Sequence, residues 1–134
     1  MNVLAMTGFL QSLSQKTIDG EIKWSCISDL MTNSKEENHA LSNLLHHSIR
    51  HINIFNSYYC FLPNSGFVYF LEETVEKGIV VSGLYVYIQK NLSSNIYRLD
   101  VSLEIIYQLR NAIQNSNHLK DQEIQSFIDN YFNE

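Results

Sequence analysis

A chain of 134 residues, 45% hydrophobic, 12% aromatic and 17% charged, is long enough to bury a core and too aromatic to be disordered. A single Pro and five Gly leave no flexible linker, so one domain spanning residues 1–134 is expected. The formal charge of −5, with Lys and Arg scattered singly, disfavours a nucleic-acid partner, which needs a basic patch.

Met6, Phe9, Leu10 and Leu13 recur at i, i+3, i+4 and i+7, the spacing of an amphipathic helix. It is expected to stop between Lys16 and Gly20, where Gly tolerates the left-handed conformation that ends helices. Ile22, Trp24 and Cys26 then alternate with Glu21, Lys23 and Ser25, a half-buried strand anchored by the indole. Cys26 and Cys60 sit in apolar runs without CxxC spacing and read as buried thiols. The first residues lack the basic and apolar regions of a signal peptide, and no run approaches the roughly 20 apolar residues that span a bilayer. A cytoplasmic protein with no membrane contact is expected.

The run Lys16-Thr17-x-x-Gly20-x-Ile22-x-Trp24, following an amphipathic helix, resembles the opening of many small proteins of unassigned function in low-GC bacteria and their phages. In these, a Tyr-rich sheet and two closing helices follow, so the resemblance covers the layout of the whole chain, although this run is its only motif. It implies a part in conflict between phage and host, in which such chains block a defence protein or sequester a signal nucleotide. No catalytic residue comes with it. The physical reading of the run is a helix stop, a tight turn and a strand whose indole fills the space beside the helix.

Ser34 and Glu37 have the spacing of a capping box, and the apolar stripe from Ala40 to Ile52 predicts a helix over about 35–50. Residues 49–55 suit either the end of that helix or the start of a strand. Runs of β-branched and aromatic residues then predict strands at 57–62, 67–72, 79–89 and 96–101, separated by Pro63–Gly66, Glu76–Gly78 and Asn91–Asn95. Ser102 is a candidate N-cap for a helix buried through Ile106, Leu109 and Ile113, ending near Asn115. Ile124, Phe127, Ile128 and Tyr131 give a last helix with a core-facing stripe. The expected class is α+β: a largely antiparallel meander of about four to five strands, with an N-terminal helix, a middle helix and two C-terminal helices on one face.

Chemical signatures are sparse. His39, His46, His47 and His51 form a cluster in which His47 and His51 would share a helix face, the spacing of two metal ligands, but no acidic base accompanies them. A solvated helix end, whose histidines interact well with the C-terminal dipole, is the favoured reading. Glu72, Glu73 and Glu76 read as a solvated run protecting a sheet edge. No nucleophile elbow or phosphate-binding glycine loop is present, and no cofactor is expected.

The more informative pattern is alternation in the sheet, which puts Tyr85, Tyr87 and Arg98, with Tyr69, on one face, read as the outer one. Tyr and Arg are enriched where proteins bind partners. The function expected is therefore a non-enzymatic binding protein, acting on another protein or on a second copy of itself. The alternatives are a binder of a small nucleotide-like ligand, and a metal-dependent enzyme built on His39, His46, His47 and His51.

Overall fold

Residues 2–31, 51–76 and 80–133 are described by the computed structural model. They fall into two units: a helical one from the residues up to Trp24 and from Val101 onward, and a sheet over Ser25–Asp100. The fold class is α+β, with an antiparallel sheet and, among the described residues, three α-helices. The helix expected over 35–50 lies outside the described residues.

In the helical unit, α1 spans Val3–Ile18, and the Asn2 side chain caps it by accepting the Leu4 N–H at 2.8 Å. Met6, Leu10 and Leu13 are buried as their spacing predicts. Buried Ser14 gives its hydroxyl proton to the Leu10 carbonyl at 2.9 Å, so its oxygen is not stranded. Gly20 ends the helix at φ 78, and the Glu21 N–H returns to the Lys16 carbonyl at 2.9 Å.

Trp24 follows, fully buried, its Nε1–H donating to Thr17 Oγ1 at 2.9 Å while that hydroxyl donates to the Leu13 carbonyl at 2.7 Å. The Thr17–Gly20–Trp24 run is thus a lock on the end of α1. α2 (Leu103–Gln114) buries Ile105, Ile106, Leu109, Ala112 and Ile113 and packs on α1. Ser102 stands at its N-cap with extended backbone, but its side chain makes no capping hydrogen bond. α3 (Asn117–Phe132) follows after a break of two residues.

The sheet has a path of five antiparallel strands in the order β1 (Ser25–Cys26), β3 (Tyr58–Leu62), β4 (Gly66–Glu76), β5 (Val80–Gln89) and β6 (Ile96–Arg98). A sixth, β2 (His51–Ile52), pairs with the far half of β4. Residues 27–31 form a 3-10 turn. β4 runs past the expected end at 72 because β5 pairs with it as far as Glu76↔Val80, and His51↔Thr74 and Ile52↔Glu73 add backbone partners on its other side. Between β2 and β3 the chain leaves the ladder. Asn53 N–H still reaches the Glu72 carbonyl at 2.8 Å, and the buried Ser57 hydroxyl accepts the Glu72 N–H at 2.9 Å, filling the gap.

Both faces of the sheet carry buried side chains. One carries Tyr69, Leu71, Tyr87 and Ile96 in a cluster with Ile27, against which Ile52, Ile54, Phe67 and Tyr85 pack. The other carries Tyr58, Cys60, Val68, Phe70 and Val86, also buried. The run Phe67-Val68-Tyr69-Phe70-Leu71 has no polar alternate, and such a continuous run is the mark of a strand covered on both sides.

Candidate functional site

Strand register decides which side chains meet. Tyr59, Tyr69, Tyr87 and Arg98 stand opposite one another across β3, β4, β5 and β6, and Tyr85 lies two residues along β5 on the same face. The structure therefore brings Tyr69, Tyr85, Tyr87 and Arg98 onto one face. That face is not the open surface expected of it. Tyr69 is 0% and Tyr87 5% exposed, because Ile27, Ile52 and Ile54 pack over them.

Two internal polar pairs make that burial affordable. Tyr69 Oη donates to Gln89 Oε1 at 2.6 Å, and Gln89 Nε2 donates to the Ser94 carbonyl at 2.9 Å, tying the β5–β6 turn to the core. Tyr87 Oη reaches both Glu73 oxygens, at 3.1 and 3.2 Å. Glu73 is 1% exposed, so it belongs to this buried network rather than to the solvated run expected for Glu72, Glu73 and Glu76. The sequence signal that marks it is the parity of β4: Glu73 shares a face with Tyr69 and Leu71.

Chemically these groups are held still rather than poised. Burial pushes the Cys60 thiol from 9.0 up to about 12, against a smaller downward pull from a hydrogen bond with the Val68 backbone. Burial, with Tyr59 nearby, also raises the Tyr69 phenol well above its usual 10.0. Both remain protonated in the folded chain at pH values where the unfolded chain has lost its protons. Their contribution to stability is therefore full below pH 9.0, and declines for Cys60 as pH rises from 9.0 toward about 12 and for Tyr69 from 10.0 upward. The expected slope is about 1.4 kcal/mol per pH unit for each ionising group. Urea unfolding in a pH series checks it: stability independent of alkaline pH, or a Cys60→Ala variant with an unchanged profile, would refute the assignment.

What remains open is the rim of this face at β6. Tyr85 lies back across Gly83, where an added Cβ would meet the phenol oxygen at 2.7 Å, so the glycine makes the space for the ring. The Arg98 guanidinium stacks over that ring, 5.4 Å from its centroid. Arg98 Nη2 also pairs with Asp100 Oδ1 at 3.5 Å, with the two side chains 47% and 78% exposed. Tyr97, on the opposite face of the same strand, is exposed as well. Tyr85, Tyr97, Arg98 and Asp100 thus gather at one edge of the sheet.

A second exposed surface lies on the helical unit, where sequence periodicity predicts core. Ile124, Phe127, Ile128 and Tyr131 of α3 are exposed, together with Phe132. The stripe has the expected spacing, but α3 meets its neighbour α2 only sparsely.

Of the histidine cluster, His39, His46 and His47 lie outside the described residues. His51 is in β2, opposite Thr74, so its backbone is extended and gives no helical i, i+4 relation. No group of three His, Cys, Asp or Glu among the described residues is placed to hold a metal ion. Among the same residues, no helix is long and apolar enough to cross a membrane. Compared with protein-family models, curated protein sequences and solved structures, the chain finds no match.

Proposed function

We propose that the protein is a non-enzymatic binding protein that offers the β6 edge of its sheet, centred on Tyr85 and Arg98, to a protein partner bearing a carboxylate. The observation that carries this reading is the stacked, half-exposed guanidinium. Tyr85 holds its plane, and an exposed pair such as Arg98–Asp100 contributes only ~0–1 kcal/mol, so an incoming carboxylate can displace Asp100 at little cost. Tyr69 and Tyr87 then act as the base under the rim, with their hydroxyls satisfied internally. The resemblance to small phage-associated proteins suggests the setting, a host defence protein blocked by occupation of its surface.

The test is capture of partners from a host lysate by wild-type protein and by Tyr85→Ala with Arg98→Ala. A Tyr–Arg hot spot predicts at least a tenfold loss of capture, since such residues contribute about 2 kcal/mol or more. Equal capture by a folded double variant overturns the reading. A nucleotide-like ligand is the second reading, favoured by the same guanidinium facing a phosphate. Stabilisation by nucleotides that Arg98→Ala abolishes distinguishes it.

A further inference from the structure

The exposed face of α3 has a composition that the sheet-edge reading leaves unexplained. Ile124, Phe127, Ile128, Tyr131 and Phe132 follow one another at helical spacing and are 59%, 76%, 41%, 65% and 77% exposed. Tyr131 and Phe132 meet edge to face, their centroids 5.3 Å apart, so the aromatic end of the stripe is already organised. The charged residues of the helix stand apart from this stripe. Lys120 and Asp121 precede it by a turn, and Glu123 and Asp129 fall on the flanks at 100° per residue. Asp129 is further engaged by Gln125 Nε2 at 2.8 Å, which keeps its charge on the outer side.

We infer that α3 is the interface of a homodimer, in which two copies of the helix cross antiparallel about a two-fold axis near Ile128. Three features select a second copy as the occupant. First, the stripe is self-complementary: with Ile128 on the axis, Ile124 falls opposite the partner's Phe132, and Phe127 lies beside the axis. Second, the stripe is uncharged at its centre, as the cores of homodimer interfaces tend to be, so two copies of a chain of net charge −5 meet little repulsion there.

Third, the area suffices. Taking roughly 150–250 Å² for each aromatic side chain and about 100 Å² for each Ile, the exposed fractions amount to about 500 Å² per copy. The pair therefore buries about 1,000 Å², the size at which a specific interface begins. The association is accordingly reversible and concentration-dependent. It lies in the helical unit and does not depend on the Tyr85–Arg98 edge.

Sedimentation velocity or light scattering over a wide concentration range tests this directly. Wild-type protein is expected to pass from the mass of one chain to that of two as concentration rises. Phe127→Asp with Ile128→Asp is expected to weaken the dimer by about thirtyfold or more while leaving the circular dichroism spectrum unchanged, because these side chains face solvent in the single chain. Tyr85→Ala with Arg98→Ala leaves the mass unchanged, so failure of the dimer and failure of the sheet-edge reading are separately visible.

Cysteine cross-linking provides a second readout. Ile128→Cys on the axis is expected to give a covalent dimer on oxidation, whereas Ser126→Cys on the far side of the helix does not. A wild-type chain that stays monomeric throughout, a dimer insensitive to the aspartates, or equal cross-linking at both positions would overturn the proposal.

Discussion

Gly66→Ala is expected to cost about 3 kcal/mol or more, lowering the midpoint of thermal unfolding by roughly 10 °C. Two independent effects add at this position. Its φ of 129 lies where an L residue is strained, typically by about 1–3 kcal/mol. A Cβ there would also run into the Gln89 carbonyl oxygen, and would sit 2.5 Å from the Lys90 oxygen and 2.8 Å from Lys90 Cα. All three are backbone atoms of the β5 end, so no side chain can rotate out of the way. Gly20 supplies the contrast: it too has positive φ, 78, but an added Cβ meets nothing within 4 Å. Gly20→Ala should therefore cost only the local conformational penalty, about 1–2 kcal/mol. Urea unfolding of the two variants side by side measures the difference, and equal losses would show that the close approach at Gly66 contributes nothing.

Trp24→Ala should destabilise the protein by about 3–5 kcal/mol, the range for removing a buried aromatic side chain. The indole is fully buried, and its N–H is held by Thr17, whose own proton goes to the Leu13 carbonyl. Removing the indole leaves a cavity beside the end of α1. Thr17→Val instead leaves the cavity filled but strands the indole N–H, at about 1–3 kcal/mol. Because the two side chains share one hydrogen bond, the double variant is expected to lose less than the sum of the singles. Strict additivity in denaturant titrations would refute the lock.

Periodicity and turn chemistry were sufficient for most of the backbone. The Met6–Leu10–Leu13 stripe, the glycine stop at Gly20, the Pro63–Gly66 turn and the helix through Leu109 are all present where local rules put them. The failures are tertiary. Tyrosine alternating with Val and Leu on β5 looks like a wet face beside a dry one, yet a phenol can be buried whole once its hydroxyl has an internal acceptor. For Tyr69 and Tyr87 those acceptors, Gln89 and Glu73, are twenty and fourteen residues away in the chain, and only strand register reveals them.

Glu73 illustrates the same point from the other side. Next to Glu72 it reads as surface charge, but its parity in β4 turns it inward. On α3 the error has the opposite sign. An apolar stripe states that a helix face is driven out of water, not which surface receives it, and Ile124 to Phe132 find none within the described chain. Of the candidate site, the shared face of Tyr85 and Arg98 was legible from alternation, whereas the cation–π stack depends on the Tyr85 ring folding back over Gly83, which alternation does not encode.

The division of the chain into its two units bears on how it folds. Ser25–Asp100 is one uninterrupted segment whose main strand pairings join neighbours in sequence, whereas α1 and α2 belong to a unit assembled from separated stretches. Joining α1 to α2 in an unfolded chain means closing the whole intervening segment as a loop, with an entropy cost that grows with the logarithm of its length. Once the hairpins have formed, their strands have already given up their coil entropy, so less is lost when the helices meet. Kinetically, the contiguous sheet is the natural nucleus, and completion of the helical unit waits on it.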